Sequence, residues 1–505
     1  MKILDVNQIR EADAYTILHQ PISSIDLMER AAKEFVQKLL DIPALNRNTY
    51  FDVYCGPGNN GGDGLAIARL LVQKKYSVRV LLLPSEKYSA DFTLNLNRLK
   101  ELKADTLEIH EHVSGILPPA KAQHFTVIVD ALFGIGLSKP LSGVAAEAVQ
   151  HINAQKINVV AVDIPSGLPA DKQLSPGDPC VKASYTLTFQ QPKLSLLFAD
   201  HAQYTGHLVV LPIGLHQAYL DTAPSCLNYV SRGMAIDLRS PRAKFSHKGN
   251  YGHALLVAGT TGKMGAAVLA VKACLRSGVG LVTARVPAAG TDILHISAPE
   301  AMVNPDEEQG FVSAIPVLDA FSAVGAGPGL GTDKQTQNAL KLLIQQSSGA
   351  LVLDADALNI LSENKTWLSF LPPGTILTPH PTEFERLCGK KGNSFDRFEW
   401  QKEFSIKYKV VLVLKGAHTS ISCPSGAVYF NSTGNPGMAK GGSGDVLTGL
   451  ITGLLAQGYL SEEAAIFGVY LHGLAGDIAA THLSMEAMTA GDLVAAIGEA
   501  FLHLG

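Results

Sequence analysis

The chain is short of charge, of aromatic side chains and of paired cysteines. Charged residues make up 17% of its 505 positions and aromatic ones 7%, with 2 tryptophans. That little charge beside 47% apolar residues excludes a disordered chain and leaves enough material for large cores. The formal charge of −4, from 45 acidic and 41 basic residues with no Lys/Arg run of five, lacks the basic excess that nucleic-acid binding needs. Six scattered cysteines (Cys55, Cys180, Cys226, Cys274, Cys388, Cys423) form no CxxC pair, which argues against a zinc site or a disulfide framework and for a reducing compartment. There is no uninterrupted apolar run of about 18 residues, so no membrane span is expected. The opening MKILDVNQIREADAYTI has neither a signal-peptide core nor transit-peptide composition, and a cytoplasmic location is expected.

Glycine, by contrast, is abundant, and it is concentrated before helices. The stretch STGNPGMAKGGSGDVLTGLI (432–451) places Gly441, Gly442 and Gly444 directly before Asp445 and an apolar helix. Glycines at a helix start expose N–H groups that bind an anion, helped by the helix dipole. A carboxylate beside a phosphate site needs a task, such as taking a proton from an attacking hydroxyl. The stretch therefore reads as a phosphoryl-transfer site with Asp445 as its base.

Two α/β blocks are expected, divided near 215–230, as domains 1–220 and 226–505. The first has a helix over 25–40 and strands over 49–55, 77–83, 126–133, 158–165, 185–189 and 207–213. The glycine-rich loop 56–64 leads to a helix over 65–75. The second has strands over 253–259, 281–287, 322–327, 350–356, 375–380 and 410–416, a helix over 265–277, a hairpin around 420–430 and closing helices. Continuous apolar strands alternating with helices predict parallel sheets covered on both faces. The fold class is α/β, a doubly wound domain followed by a second α/β domain.

In such sheets ligands bind at the carboxyl ends of the strands. In the first block GPGNNGGDG (56–64) can cradle a phosphate. Asp130 and Asp163 stand at strand ends, where Asp needs a reason. Asn60, Asp130 and Ser166 are hard oxygen donors suited to a non-transition cation, and Asp163 could serve as an acid/base. For each aspartate taken singly, capping is an equal alternative. In the second block Gly265-Ala266 is small enough for ligand approach, GAGPGLG (325–331) follows a strand, and His380 lies between two prolines. KGAHT (415–419) places Lys415 and Thr419 where they could contact a nucleotide.

IDLMERAA, GPGNNGGDG, DALFGIGL, VDIPSGL and TLTF…PK (187–193) resemble the NAD(P)HX epimerase family over nearly all of 1–215. The resemblance implies a Rossmann-like fold, a potassium ion held by Asn60, Asp130 and Ser166, and epimerisation at C6 of hydrated nicotinamide nucleotides. It assigns substrate contacts to Asn59, Asn60, Gly61, Gly62 and Asp63, to Gly134, Ile135, Gly136, Leu137, Ser138, Lys139 and Pro140, and to Asp163. Ile135 stands where Thr is frequent, and Ala32 where Gly is common.

Residues 230–503 resemble the ADP-dependent NAD(P)HX dehydratase family, a ribokinase-like branch, through LVLDADALNIL, TPHPTEFERL and GNPGMAKGGSGDVLTGLI. Ser443 replaces a common Thr, keeping the hydroxyl, and Thr382 a common Gly. The resemblance implies substrate contacts at Gly265, Ala266, Gly327, His380 and Asp445. It places ADP at Lys415, Gly416, Ala417, His418, Thr419 and Gly444, with Mg²⁺. Asp445 would deprotonate the C6 hydroxyl for attack on the terminal phosphate, and expulsion of phosphate would restore NAD(P)H. The expected partners are NADHX, NADPHX and ADP, and a homo-oligomer is expected. The alternative is a ribokinase-like small-molecule kinase carrying a non-catalytic nucleotide-binding module.

Overall fold

The computed structural model describes residues 1–43, 45–110, 125–137 and 139–505. The chain divides into two compact units, Lys2–Ser225 and Cys226–Gly505, with Met1 counted in the second.

The first unit is built on seven parallel strands: β1 (Tyr50–Cys55), β2 (Ser77–Leu82), β3 (Leu107–His110), β4 (Thr126–Ala131), β5 (Asn158–Val162), β6 (Tyr185–Phe189) and β7 (His207–Leu211). Their order is β3-β2-β1-β4-β5-β6-β7. Strand order reverses between β1 and β4, the switch point at which a doubly wound sheet opens a crevice. β1 and β4 are buried along their whole length, as strands covered on both faces must be. Phe35, Phe51, Leu65, Ile67 and Val129 fill the core between the sheet and its helices.

The second unit has ten strands: β8 (Leu227–Tyr229), β9 (His253–Val257), β10 (Leu281–Val286), β11 (Met302–Pro305), β12 (Ala323–Ala326), β13 (Leu351–Leu353), β14 (Ile376–Leu377), β15 (Val411–Leu414), β16 (Ser420–Ser422) and β17 (Val428–Phe430). The order is β11-β10-β9-β12-β13-β14-β15-β16-β17-β8, with β16 antiparallel to both of its neighbours. The helices Met264–Arg276 and Ser443–Ala456 pack closely: a Cβ on Gly449 would stand 1.9 Å from the Ala270 carbonyl oxygen. Among the described residues one helix, Ser461–Leu483, is long and apolar enough to cross a membrane, but 72% of its apolar window is buried within the fold. It belongs to the core with Phe467, Leu471 and Ile478.

Both blocks have the expected parallel α/β character. The helix Val6–His19 was not anticipated, since it buries only Ile9, Ala12 and Thr16, nor were the short strands β3 and β11 and the edge strand β8, because four-residue or shorter strands carry little periodicity. The stretch expected to be a loop up to residue 64 is helical from Asn59. Its glycines do not break that helix, because close packing requires them: a Cβ on Gly61 would stand 1.8 Å from the Gly56 carbonyl oxygen.

Candidate functional site

In the first unit the ends of β1, β4, β5 and β6 surround a cavity of about 770 Å³. The helix Asn59–Gln73 points into it with Gly58 as an N-cap that supplies no side-chain bond. The N–H groups of its first turn are therefore available to an anion. Asn59, Asn60 and Asp63 line the cavity, as do Gly134, Ile135, Gly136, Leu137, Lys139, Pro140 and Asp163. Ser138 lies outside the described residues. Gly61 and Gly62 are not in the lining; they face the body of the unit, and the Gly62 N–H bonds to the Gly58 carbonyl.

Asp163 directly follows β5 in a left-handed backbone conformation, φ 69°, uncommon for a non-glycine residue. Its Oδ1 accepts from the Phe189 N–H (2.9 Å), the Thr188 hydroxyl (3.2 Å) and the Lys193 ammonium. Lys193 is 1% exposed and also donates to the Thr188 hydroxyl oxygen at 2.9 Å. Sequence reasoning noted Lys193 only as part of a motif; the available sign was a lysine directly before the largely apolar stretch LSLLF.

Asp130 and Ser166 meet directly. The Ser166 hydroxyl and N–H donate to the Asp130 carboxylate at 2.6 and 2.8 Å, and Ser166 Oγ accepts from the Phe133 N–H at 2.8 Å. Asn60 packs against neighbouring Gly134, and its Nδ2 is buried without a partner. Burial pushes Asp130 up to about 6 despite those bonds, and no basic group bears on it. A buried carboxylate without a counter-charge suits a cation with oxygen ligands, and the orphaned end of the Asn60 amide could equally be its oxygen.

In the second unit Asp445 occupies the first turn of the helix Ser443–Ala456, capped by Gly442 at φ 97° with no side-chain bond. A Cβ on Gly442 would meet Leu269 at 2.6 Å, so close packing and backbone both demand glycine there. Burial first, then the negative charge of Asp354, pushes Asp445 up to about 6, against the pull of Lys415.

Asp354, at the end of β13, organises this site. Lys415 donates to its Oδ1 at 2.9 Å and the Thr448 hydroxyl to its Oδ2 at 2.7 Å. A Cβ on Gly327 would stand 1.8 Å from the Asp354 carbonyl oxygen, and one on Gly444 3.4 Å from the Lys415 ammonium. Burial pulls Lys415 down, but Asp354 and Glu383 outweigh it and its pKa is raised. His380 caps the helix Pro381–Cys388: its Nδ1 accepts from the Glu383 N–H at 3.3 Å, while its own N–H donates to Glu383 at 2.8 Å. Its side chain remains 48% exposed. Gly265 and Ala266 lie in the uncapped first turn of Met264–Arg276, and no atom lies within 4 Å of a Cβ placed on Gly265. In the turn Gly416–Thr419 the Thr419 hydroxyl donates to the Gly416 carbonyl at 3.0 Å, exposed Ala417 forms the tip, and the His418 ring meets the Asn431 carbonyl at 3.1 Å.

Two further groups escaped sequence reasoning. Asp477 accepts from the Gly434 N–H at 2.9 Å and from Asn435 at 3.0 Å, and so holds the GNPGM turn. His472 lies five residues before it, its Nε2 unpartnered among the described residues, and burial lowers its pKa to about 4. The pair shares the segment HGLAGD, whose polar residues in an apolar helix were the available signal.

A family model described as NAD(P)H-hydrate dehydratase matches residues 254–499, and one described as YjeF-related protein N-terminus matches residues 24–195. The bifunctional NAD(P)H-hydrate repair enzyme Nnr of Moorella thermoacetica is 37% identical over 510 residues, spanning 98% of this chain and 95% of that protein. The enzyme of the same name from Coxiella burnetii is 36% identical, spanning 96% of each. Among solved structures, the ADP/ATP-dependent NAD(P)H-hydrate dehydratase of Bacillus subtilis co-crystallized with ATP/Mg²⁺ is 30% identical over 55% of this chain and 99% of that one, with a TM-score of 0.49. Identity of this extent along nearly the whole length, together with two domain matches in sequence, places the chain in the bifunctional NAD(P)H-hydrate repair enzyme family.

Proposed function

We propose that the chain repairs hydrated nicotinamide nucleotides with two separate active sites. The first unit, about residues 1–220, interconverts the R and S hydrates. The second, about 226–505, dehydrates the S hydrate at the expense of a nucleotide, ADP in our reading. NADHX and NADPHX are both substrates, and the enzyme works in the cytoplasm as a homo-oligomer.

One observation carries the dehydratase reading: Asp445 is a partly buried carboxylate with no cation bonded to it among the described residues, set in the first turn of an uncapped helix. As base it takes the proton of the C6 hydroxyl, whose oxygen attacks the terminal phosphorus of ADP. A P–O bond forms, the bond to the leaving AMP breaks, and hydroxide becomes phosphate, a better leaving group. The ring nitrogen then pushes its electron pair toward C6 as phosphate departs. Loss of a C5 proton completes NAD(P)H, so hydrate and ADP give NAD(P)H, AMP and phosphate. Gly444 and the free N–H groups beside it offset charge on the phosphate. Lys415, held by Asp354, and the turn Gly416–Thr419 take the nucleotide, while Gly265, Ala266, Gly327 and His380 border the hydrate. Mg²⁺, when bound, neutralises part of the charge on the transferring phosphate.

In the first unit the Asn59–Asp63 turn and the Gly134–Pro140 segment bind the hydrate, with Asp163 at C6. Asn60, Asp130 and Ser166, with main-chain carbonyls, would hold a potassium ion, which would supply positive charge beside the buried Asp130 carboxylate.

The test crosses two variants with two assays. Asp445→Asn is expected to abolish dehydration of the S hydrate and spare epimerisation; Asp163→Asn does the reverse. One variant impairing both reactions would contradict separate sites.

A further inference from the structure

The cavity of the first unit holds more ionisable groups than the reading above employs. Asp13, Asp63 and Asp163 act on one another electrostatically, while Arg10, Lys139 and Lys193 supply the positive charges of the lining. Lys193 is spent on Asp163, the Thr188 hydroxyl and the Phe189 carbonyl. Every bond that Asp163 accepts among the described residues falls on Oδ1, which leaves Oδ2 open. Asp13, on the helix Val6–His19, lines the same cavity and has no hydrogen bond to the described residues. Burial, then the charge of Asp163, pushes Asp13 up to about 6 against the pull of Lys193. Asp63 is held well above the usual carboxylate range by burial and by Asp163, Asp13 and Asp91. With one ammonium committed to Asp163, the remaining carboxyls keep their protons to higher pH than a free carboxyl does.

Epimerisation at C6 requires an acid as well as a base. We propose that Asp13 is the second acid/base group of the epimerase, exchanging a proton with the ring nitrogen N1 while Asp163 Oδ2 exchanges one with the C6 hydroxyl. Asp163 takes the hydroxyl proton and that electron pair becomes the second C–O bond of an aldehyde. The C6–N1 bond breaks, its pair goes to N1, and N1 takes the proton of Asp13. Rotation about C5–C6 turns the other aldehyde face to N1. The reverse steps then close the ring with inverted C6, returning one proton to Asp13 and taking one from Asp163. Nothing is oxidised or reduced, and no co-reactant is consumed. The proposal rests on the assignment of this cavity as the epimerase site.

The test uses the full chain, the R hydrate and no nucleotide, with the R/S ratio followed chromatographically above a buffer blank. Asp13→Asn is expected to lower kcat about 10²–10⁴-fold, with KM within about threefold. It should also lose the fall in kcat that the wild type shows as pH rises above about 6. Asp13→Glu, which retains a carboxyl, should recover part of the rate. Retention of more than half the wild-type kcat in Asp13→Asn, a loss confined to KM, or an unchanged pH profile would overturn the assignment. A wild type no faster than buffer would defeat the epimerase reading itself. A slow Asp163→Asn beside a fast Asp13→Asn would defeat only the role of Asp13.

Discussion

In the first unit the lysine next to the site is bonded to the aspartate that faces the cavity; in the second the lysine is bonded away from it. Lys193 engages Asp163 directly, together with a hydroxyl and an N–H. Lys415 instead engages Asp354, and Asp445 feels that lysine only at a distance while Asp354 repels it. The ingredients are the same: an uncapped helix start, an aspartate and a lysine following a strand. The wiring matches the chemistry each site must perform. An epimerase returns every proton it takes and can keep its carboxylate clamped through one oxygen. A phosphoryl-transfer site needs its lysine for the nucleotide and its base free to take a proton.

The largest expected effect that could break this comparison is Asp445→Asn. Dehydration measured as phosphate release should fall about 10²–10⁴-fold, with epimerisation unchanged; retention of half the turnover would remove Asp445 from the mechanism. Next, Lys415→Gln should raise the KM for ADP about tenfold and lower stability by about 1–3 kcal/mol, because it leaves buried Asp354 without its cation. Denaturant melts with and without nucleotide would separate the two effects. A third expectation concerns pH. Because Asp445 is raised to about 6 and must be unprotonated to act, dehydration should climb tenfold per pH unit below 6 and level off above it. The same shift has a stability sign. The folded state binds this proton more tightly than the unfolded chain, so its contribution is present at low pH and lost as pH rises through about 6. Asp445→Asn should therefore be more stable than the wild type at pH 8, by on the order of 1 kcal/mol after solvent screening. The smallest effect is on potassium: replacing it with a bulky organic cation should lower the melting temperature of the first unit by a few degrees, and Asp130→Asn should erase that difference. An unchanged melt in both would contradict the ion site.

Much of this organisation could be read from residues. The long apolar strands announced both sheets, and Asp130, Asp163 and Asp445 all lie at the strand or helix ends expected of them. What stayed hidden was pairing across distance. Asp354 and Thr448 are 94 positions apart, and nothing local marks their bond. Lys193 reaches back 30 positions to Asp163. Asp13 went unnoticed, because only the fold brings the helix Val6–His19 to the cavity. The helical start at Asn59 was missed because five glycines in nine residues signal a loop unless close packing compensates for their flexibility.

The central claim is that two sites in one chain act in sequence on both epimers. Its most direct measurement supplies the full-length protein with pure R hydrate, ADP, Mg²⁺ and potassium, and follows reduced-nicotinamide absorbance and free phosphate together. The account predicts complete recovery of NADH with one phosphate per molecule, after a lag that Asp163→Asn lengthens to the spontaneous rate. Accumulation of a stable phosphorylated product without recovery of absorbance would contradict it.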